Sequence, residues 1–99
     1  MAEITWTDEA NNDLDGIAEF ISRDSPFHAW NVTEETLALA EKIPDQPRAG
    51  RMVPELEDPD IRERLIYSYR LVYRILHSGE LLVVTVIHSA RLLNPESFS

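Results

Sequence analysis

The sequence predicts an α+β domain: an N-terminal strand, an antiparallel helical hairpin, then a three-stranded antiparallel meander, in the order β-α-α-β-β-β. Three observations predict it. Apolar residues recur at helical spacing from Ala10 to Ala40, β-branched and aromatic runs dominate after Ile61, and the proline-punctuated stretch PDQPRAG at 44–50 divides the two. With 99 residues and a 43% apolar share, the chain suffices for a single domain spanning 1–99.

The segment EITW at 3–6 reads as a short first strand. Ala10, Leu14, Ile17, Ala18 and Ile21 then make one apolar helical stripe. Thr7 is placed to cap this helix, and Asp8 and Glu9 fall in its first turn, where the helix dipole favours acids. Asp24-Ser25 ends it. Ser25 and Pro26 open the second helix as N-cap and first-turn proline, and that helix is expected to run to about Ile43, burying Ala29, Val32, Thr36, Leu37 and Ala40. So short a link makes the pair an antiparallel hairpin.

EDPD at 57–60 is a second break, followed by strands expected over about 61–67, 69–76 and 81–88. Ser78-Gly79 is a good hairpin turn, whereas Tyr67-Ser68 is a poor one. A helix through 61–76 competes, because Ile61, Leu65, Tyr69, Val72 and Leu76 also fit helical spacing; β-branched and aromatic content favours strands. The tail over 92–99 lacks periodicity and is expected to be loose unless a partner holds it.

The charge is −9 and unevenly spread. Residues 1–50 hold eleven acids and three bases; residues 51–99 hold seven acids and six bases, all arginine. An acidic chain without a basic stripe is repelled by nucleic acid, so direct nucleic-acid binding is not expected. Arginines suit local pairing with carboxylates or phosphates. The absence of cysteine excludes disulfides and thiolate metal sites and suits a reducing cytoplasm. MAEITWTDEA does not read as a signal peptide, and LLVVTVI at 81–87 is too short to cross a bilayer. A soluble, cytoplasmic protein with no membrane association is the expectation.

Alternation splits YRLVYRIL at 69–76 into a core face of Tyr69, Leu71, Tyr73 and Ile75 and a mixed face of Arg70, Val72, Arg74 and Leu76. The mixed face is either open to water or shaped for a partner. In the second case Arg70 and Arg74, with Arg62 or Arg64, would suit an acidic, apolar peptide. In the first, Arg70 and Arg74 pair with cross-strand acids such as Glu63 and Glu80. The histidines, His28, His77 and His88, show no metal-ligand spacing, so neither metal nor cofactor is expected. No GxSxG nucleophile elbow and no glycine-rich phosphate loop occurs. Phe27 and Trp30 are helix-interface residues or an exposed anchor for a partner.

Taken together, WTDEANNDLDGIAEFISRDSP, GRMVPEL at 50–56, IRE at 61–63, YRLVYRI and HSAR at 88–91 resemble the ParE branch of the ParE/RelE toxin superfamily over about residues 4–93. The resemblance implies the same helical hairpin on a small sheet. It also implies a type II toxin that poisons DNA gyrase without being a hydrolase, in a hetero-oligomer with a ParD-like antitoxin. The binding surface would comprise the sheet's open face, the HSAR turn and the tail, with Arg62, Arg64, Arg70, Arg74, His88, Arg91, Phe27 and Trp30 contacting antitoxin or target. Within the superfamily the alternative is a RelE-like endoribonuclease acting on ribosome-bound mRNA, with Glu55, Arg70 and His88 as general base, phosphate-stabilising cation and general acid. Against it stand the single lysine, Lys42, the absence of any tyrosine after Tyr73, and the negative charge. A degenerate, binding-only relative is the third reading.

Overall fold

The computed structural model describes residues 3–98. Its order is β1 (Ile4–Trp6), α1 (Asp8–Ser22), α2 (Pro26–Lys42), β2 (Arg51–Met52), β3 (Ile61–Ile66), β4 (Tyr69–Ile75) and β5 (Leu81–His88), with short 3-10 turns at Ile43–Asp45, Pro47–Ala49 and Pro95–Phe98. The expected α+β architecture is present, strands rather than a helix occupy 61–75, and one strand is added. β2 is two residues long, too short for any periodic signal.

Both helices begin where capping chemistry predicts. The Thr7 side chain accepts the Ala10 amide at 3.0 Å, and Ser25 accepts the His28 amide at 3.1 Å. Ala10 and Leu14 of α1 and Ala29, Val32, Thr36 and Ala40 of α2 are buried. Leu37, expected inside, is exposed. The inner stripe of α2 therefore consists of small and β-branched residues, which lets the two helices approach closely.

The five strands form one sheet in the order β1-β5-β4-β3-β2. β1 runs parallel to β5, with Ile4 opposite Leu81 and Trp6 opposite Val83; every other pair is antiparallel. β3 and β4 meet across the two-residue turn Tyr67-Ser68, which puts Tyr67 at φ 52°. Tyr67 tolerates this left-handed geometry while held by other contacts: its hydroxyl donates to Glu35 on α2, and its ring stands edge-on to His28 with centroids 5.7 Å apart. In β5 the register shifts at Val84, so Val83 and Val86 share a face. Beyond β1, Asp13 of α1 guards the outer edge of β5, accepting the Val86 amide at 3.2 Å and the Thr85 hydroxyl at 2.6 Å.

Tyr69, Leu71, Tyr73 and Ile75 face the helices, as alternation predicts. There Leu71, Tyr73, Leu81, Val83 and Val86 form the main core with Ala10, Ala40 and Ile43. The other face is covered around Arg70 and Val72, while Arg74 borders a groove. The loop after β2 and the chain after β5 fold over it, and Val53, Ile61 and Val72, with Leu56, Val84 and Leu93, make a second, smaller core. Val53, Leu56 and Leu93 lie outside long strands, and this second layer is where their apolar surface goes.

Candidate functional site

The second layer contains a chain of alternating charges. β2 and β3 bring Arg51 opposite Glu63, and β4 sets Arg70 on the same face as Glu63. The loop after β2 supplies Glu55. Arg70 is only 4% exposed and the Glu63 side chain is fully buried. Arg70 Nε donates to Glu63 Oε1 at 2.8 Å, and Nη2 donates to the same oxygen at 2.6 Å. Nη2 and Nη1 fork onto Glu55 Oε1 and Oε2 at 2.9 and 2.7 Å, and Nη1 also donates to the Arg91 carbonyl at 3.0 Å. All of the guanidinium's donors are thereby committed.

The carboxylates are equally occupied. Glu63 Oε2 accepts from Arg51 Nε, and Glu55 Oε2 also accepts the Leu93 amide at 2.9 Å. The hydrogen bond from Arg70, helped by the Leu93 amide and opposed by desolvation, holds the Glu55 carboxyl down at about 2. The Arg70 guanidinium is pushed up, chiefly by Glu55. Such a carboxylate is a weak proton acceptor near neutral pH, and such an arginine has no donor left for a phosphate.

The residues offered as a catalytic trio are therefore only partly brought together. Glu55 and Arg70 neutralise each other, while His88 pairs with Tyr69 on the opposite face of the sheet. Its ring is edge-on to Tyr69 with centroids 5.8 Å apart, and its Nδ1 accepts the Ala90 amide at 3.1 Å. The placement of Arg70 in an open groove also needs correction. The loop after β2 and the chain at 91–93 cover it, and Glu63, one of the two acids proposed as cross-strand partners, is indeed bound to it.

The remaining site residues occupy several surfaces. Arg62 and Arg64 point to the helix side of the sheet, paired in register with Tyr73 and Leu71. Arg62 is a brace, donating from Nε to the Pro59 carbonyl at 2.8 Å and from Nη1 to the Gly50 carbonyl at 3.1 Å. Burial raises the affinity of the Tyr73 hydroxyl for its proton, and Arg64, Arg62 and Arg48 oppose that. Arg74 and Arg91 line one groove of about 570 Å³, together with Thr7, Glu9, Val84, Ile87 and residues 92–94. His88 and Arg91 line a second depression of about 410 Å³ with Gly16, Ile17 and Phe20 of α1. Phe27 and Trp30 stand exposed on α2, at 74% and 61%.

Arg51, Leu92 and Leu93 escaped sequence reasoning. The leucine pair a few residues after the last strand was the available signal. Of the tail over 92–99, Leu93 is held by Glu55, and Ser99 lies outside the described residues. Among the described residues no cluster of three or more His, Cys, Asp or Glu side chains could hold a metal ion, and no helix is long and apolar enough to cross a membrane.

Comparison with known proteins fits this architecture. The family model for the ParE toxin of the type II toxin–antitoxin system parDE matches residues 4–93. Toxin RelE2 of Caulobacter vibrioides is 27% identical over 92 residues, covering 93% of this chain and all of the relative. Among solved structures, a chain of the chromosomal ParDE system from P. aeruginosa superposes with a TM-score of 0.71 at 19% identity, covering 89% of this chain and 95% of that one. A chain of the RelBE2 toxin–antitoxin complex from Mycobacterium tuberculosis gives 0.53 at 21% identity, covering 88% and 96%. At these identities the structural likeness is one of fold.

Proposed function

The chain belongs to the ParE toxin family of type II toxin–antitoxin systems, and from that premise we propose that it blocks replication in the cytoplasm by binding and poisoning DNA gyrase. A ParD-like antitoxin restrains it by occupying its surface. The observation that carries the choice of a binding toxin over a nuclease is the closed Glu55–Arg70 fork. A ribonuclease of the RelE kind would need a base free to take a proton and an arginine free to stabilise a phosphate. Here each group satisfies the other, and His88 lies across the sheet. The net charge of −9 also disfavours approach to ribosomal RNA, while leaving a protein target accessible.

The test is a cleavage-trapping assay. Purified toxin incubated with gyrase, ATP and negatively supercoiled plasmid is expected to yield linear DNA after protease treatment, and added antitoxin to suppress it. Untouched gyrase alongside cut messages on ribosomes would replace this reading with the nuclease one. A chain that binds antitoxin, spares gyrase and messages, and leaves growth unchanged when induced alone would be a binding-only relative.

A further inference from the structure

Leu92 is 84% exposed, more than any other large apolar side chain among the described residues. The chain on either side of it is nevertheless fixed from within. The carbonyl of the 91–92 peptide accepts from Arg70 Nη1 at 3.0 Å, and the amide of the 92–93 peptide donates to Glu55 Oε2 at 2.9 Å. The Leu93 side chain packs into the second core beside Val53, Ile61 and Val72. Both peptide planes around Leu92 are thus held by one ion pair, buried Arg70 with half-buried Glu55, and the side chain between them has only the outward direction left.

Next to it lies the groove of about 570 Å³, whose apolar side is Val84, Ile87, Leu92 and Leu93 and whose charged side holds Arg74 and Arg91 against Glu9. On a chain of charge −9 this is a local reversal of sign. A segment combining apolar and acidic side chains complements it. An apolar side chain already fixed in its bound position loses little conformational freedom on association.

We infer that Glu55 is a positioning residue: together with Arg70 it holds both peptide groups around Leu92, so that Leu92 and Arg91 face outward as a preformed anchor for an acidic, apolar segment of the antitoxin. The inference rests on family membership for the existence of that partner. Glu55 acts through the backbone at 91–93 and touches no ligand itself. Because its carboxyl is held down at about 2, the clamp persists throughout the neutral range.

The test uses full-length toxin titrated with the antitoxin encoded beside its gene, in a cycle of Leu92→Ala, Glu55→Gln and the double variant. Leu92→Ala is expected to weaken binding about tenfold or more. Glu55→Gln is expected to speed exchange of the Leu93 amide by about tenfold and to weaken binding as well. The two losses are expected to be non-additive, because a released Leu92 contributes little that its removal can take away. Wild-type affinity for Leu92→Ala, or losses that simply multiply, would overturn the inference. If Glu55→Gln fails to fold, Glu55→Asp, which keeps the charge but shortens the reach to the Leu93 amide, takes its place in the cycle with the same deciding outcomes. Should the wild-type chain bind antitoxin through Leu92 yet neither trap gyrase nor slow growth, the gyrase reading falls and the anchor stands.

Discussion

Replacing Arg70 with alanine separates a buried structural ion pair from a surface one. The Glu63 side chain is fully buried, and two of its hydrogen bonds come from Arg70. Without them it keeps only Arg51, whose own side chain is 60% exposed. Breaking a buried pair from one side costs about 3–5 kcal/mol, because an uncompensated charge stays in the interior. A domain of this size has about 5–15 kcal/mol in all. Arg70→Ala should therefore lower the melting temperature by about 20 °C or more, with a matching fall in the urea midpoint. Arg70→Lys keeps the charge but not the fork and should fall between. The double change Arg70→Met with Glu63→Met should recover most of the loss, since both buried charges go while Glu55 and Arg51 can reach water. A loss below about 1 kcal/mol for Arg70→Ala, the range of exposed pairs, would refute the buried-network argument. So would a double variant no more stable than the single one.

Two glycines predict opposite outcomes for the same substitution. A Cβ on Gly16, in the middle of α1, meets nothing within 4 Å, so Gly16→Ala should stabilise by about 0.5–1 kcal/mol in urea denaturation. At Gly50 it would lie 2.5 Å from the Tyr73 hydroxyl and 2.9 Å from the Glu63 carbonyl, so Gly50→Ala should destabilise by about 1–3 kcal/mol. Acid titration tests Glu55: its carboxyl drops from the usual 4.5 to about 2 on folding. Its contribution is complete above pH 4.5 and lost as pH falls through 2. With allowance for solvent screening this amounts to about 1–2 kcal/mol, and the urea-midpoint gap between wild type and Glu55→Gln should close over that window. Trp30, exposed on α2, should be readily quenched by acrylamide in the free chain, and Trp30→Ala should leave the melting temperature within about 3 °C of wild type.

The helices were legible because their signals are local: a capping residue, a first-turn proline and a stripe of small apolar side chains all lie within one short window. The core face of β4 was legible for the same reason, since strand alternation needs no knowledge of neighbours. What escaped is set by distant residues. The parallel pairing of Ile4 with Leu81 leaves no trace in either segment. Tyr67-Ser68 makes a tight turn without glycine or asparagine because contacts from α2 hold it. The mixed face of β4 is as alternation predicts, and Arg74 does border a groove, but Arg70 is buried. Glu55 lies fifteen residues from Arg70 and Leu93 a further stretch beyond, and only the folded sheet shows that both close over the arginine. The ribonuclease alternative grouped Glu55, Arg70 and His88 as a catalytic trio; folding locks Glu55 and Arg70 to each other and leaves His88 beside Tyr69 on the opposite face.

The seam between β1 and β5 also bears on how the protein is made. The first strand finds its place only beside residues 81–83, so the sheet stays incomplete until those residues have left the ribosome. Loop closure over so long a span is slow compared with forming the helical hairpin. A nascent or prematurely terminated chain would carry exposed helices and no finished sheet.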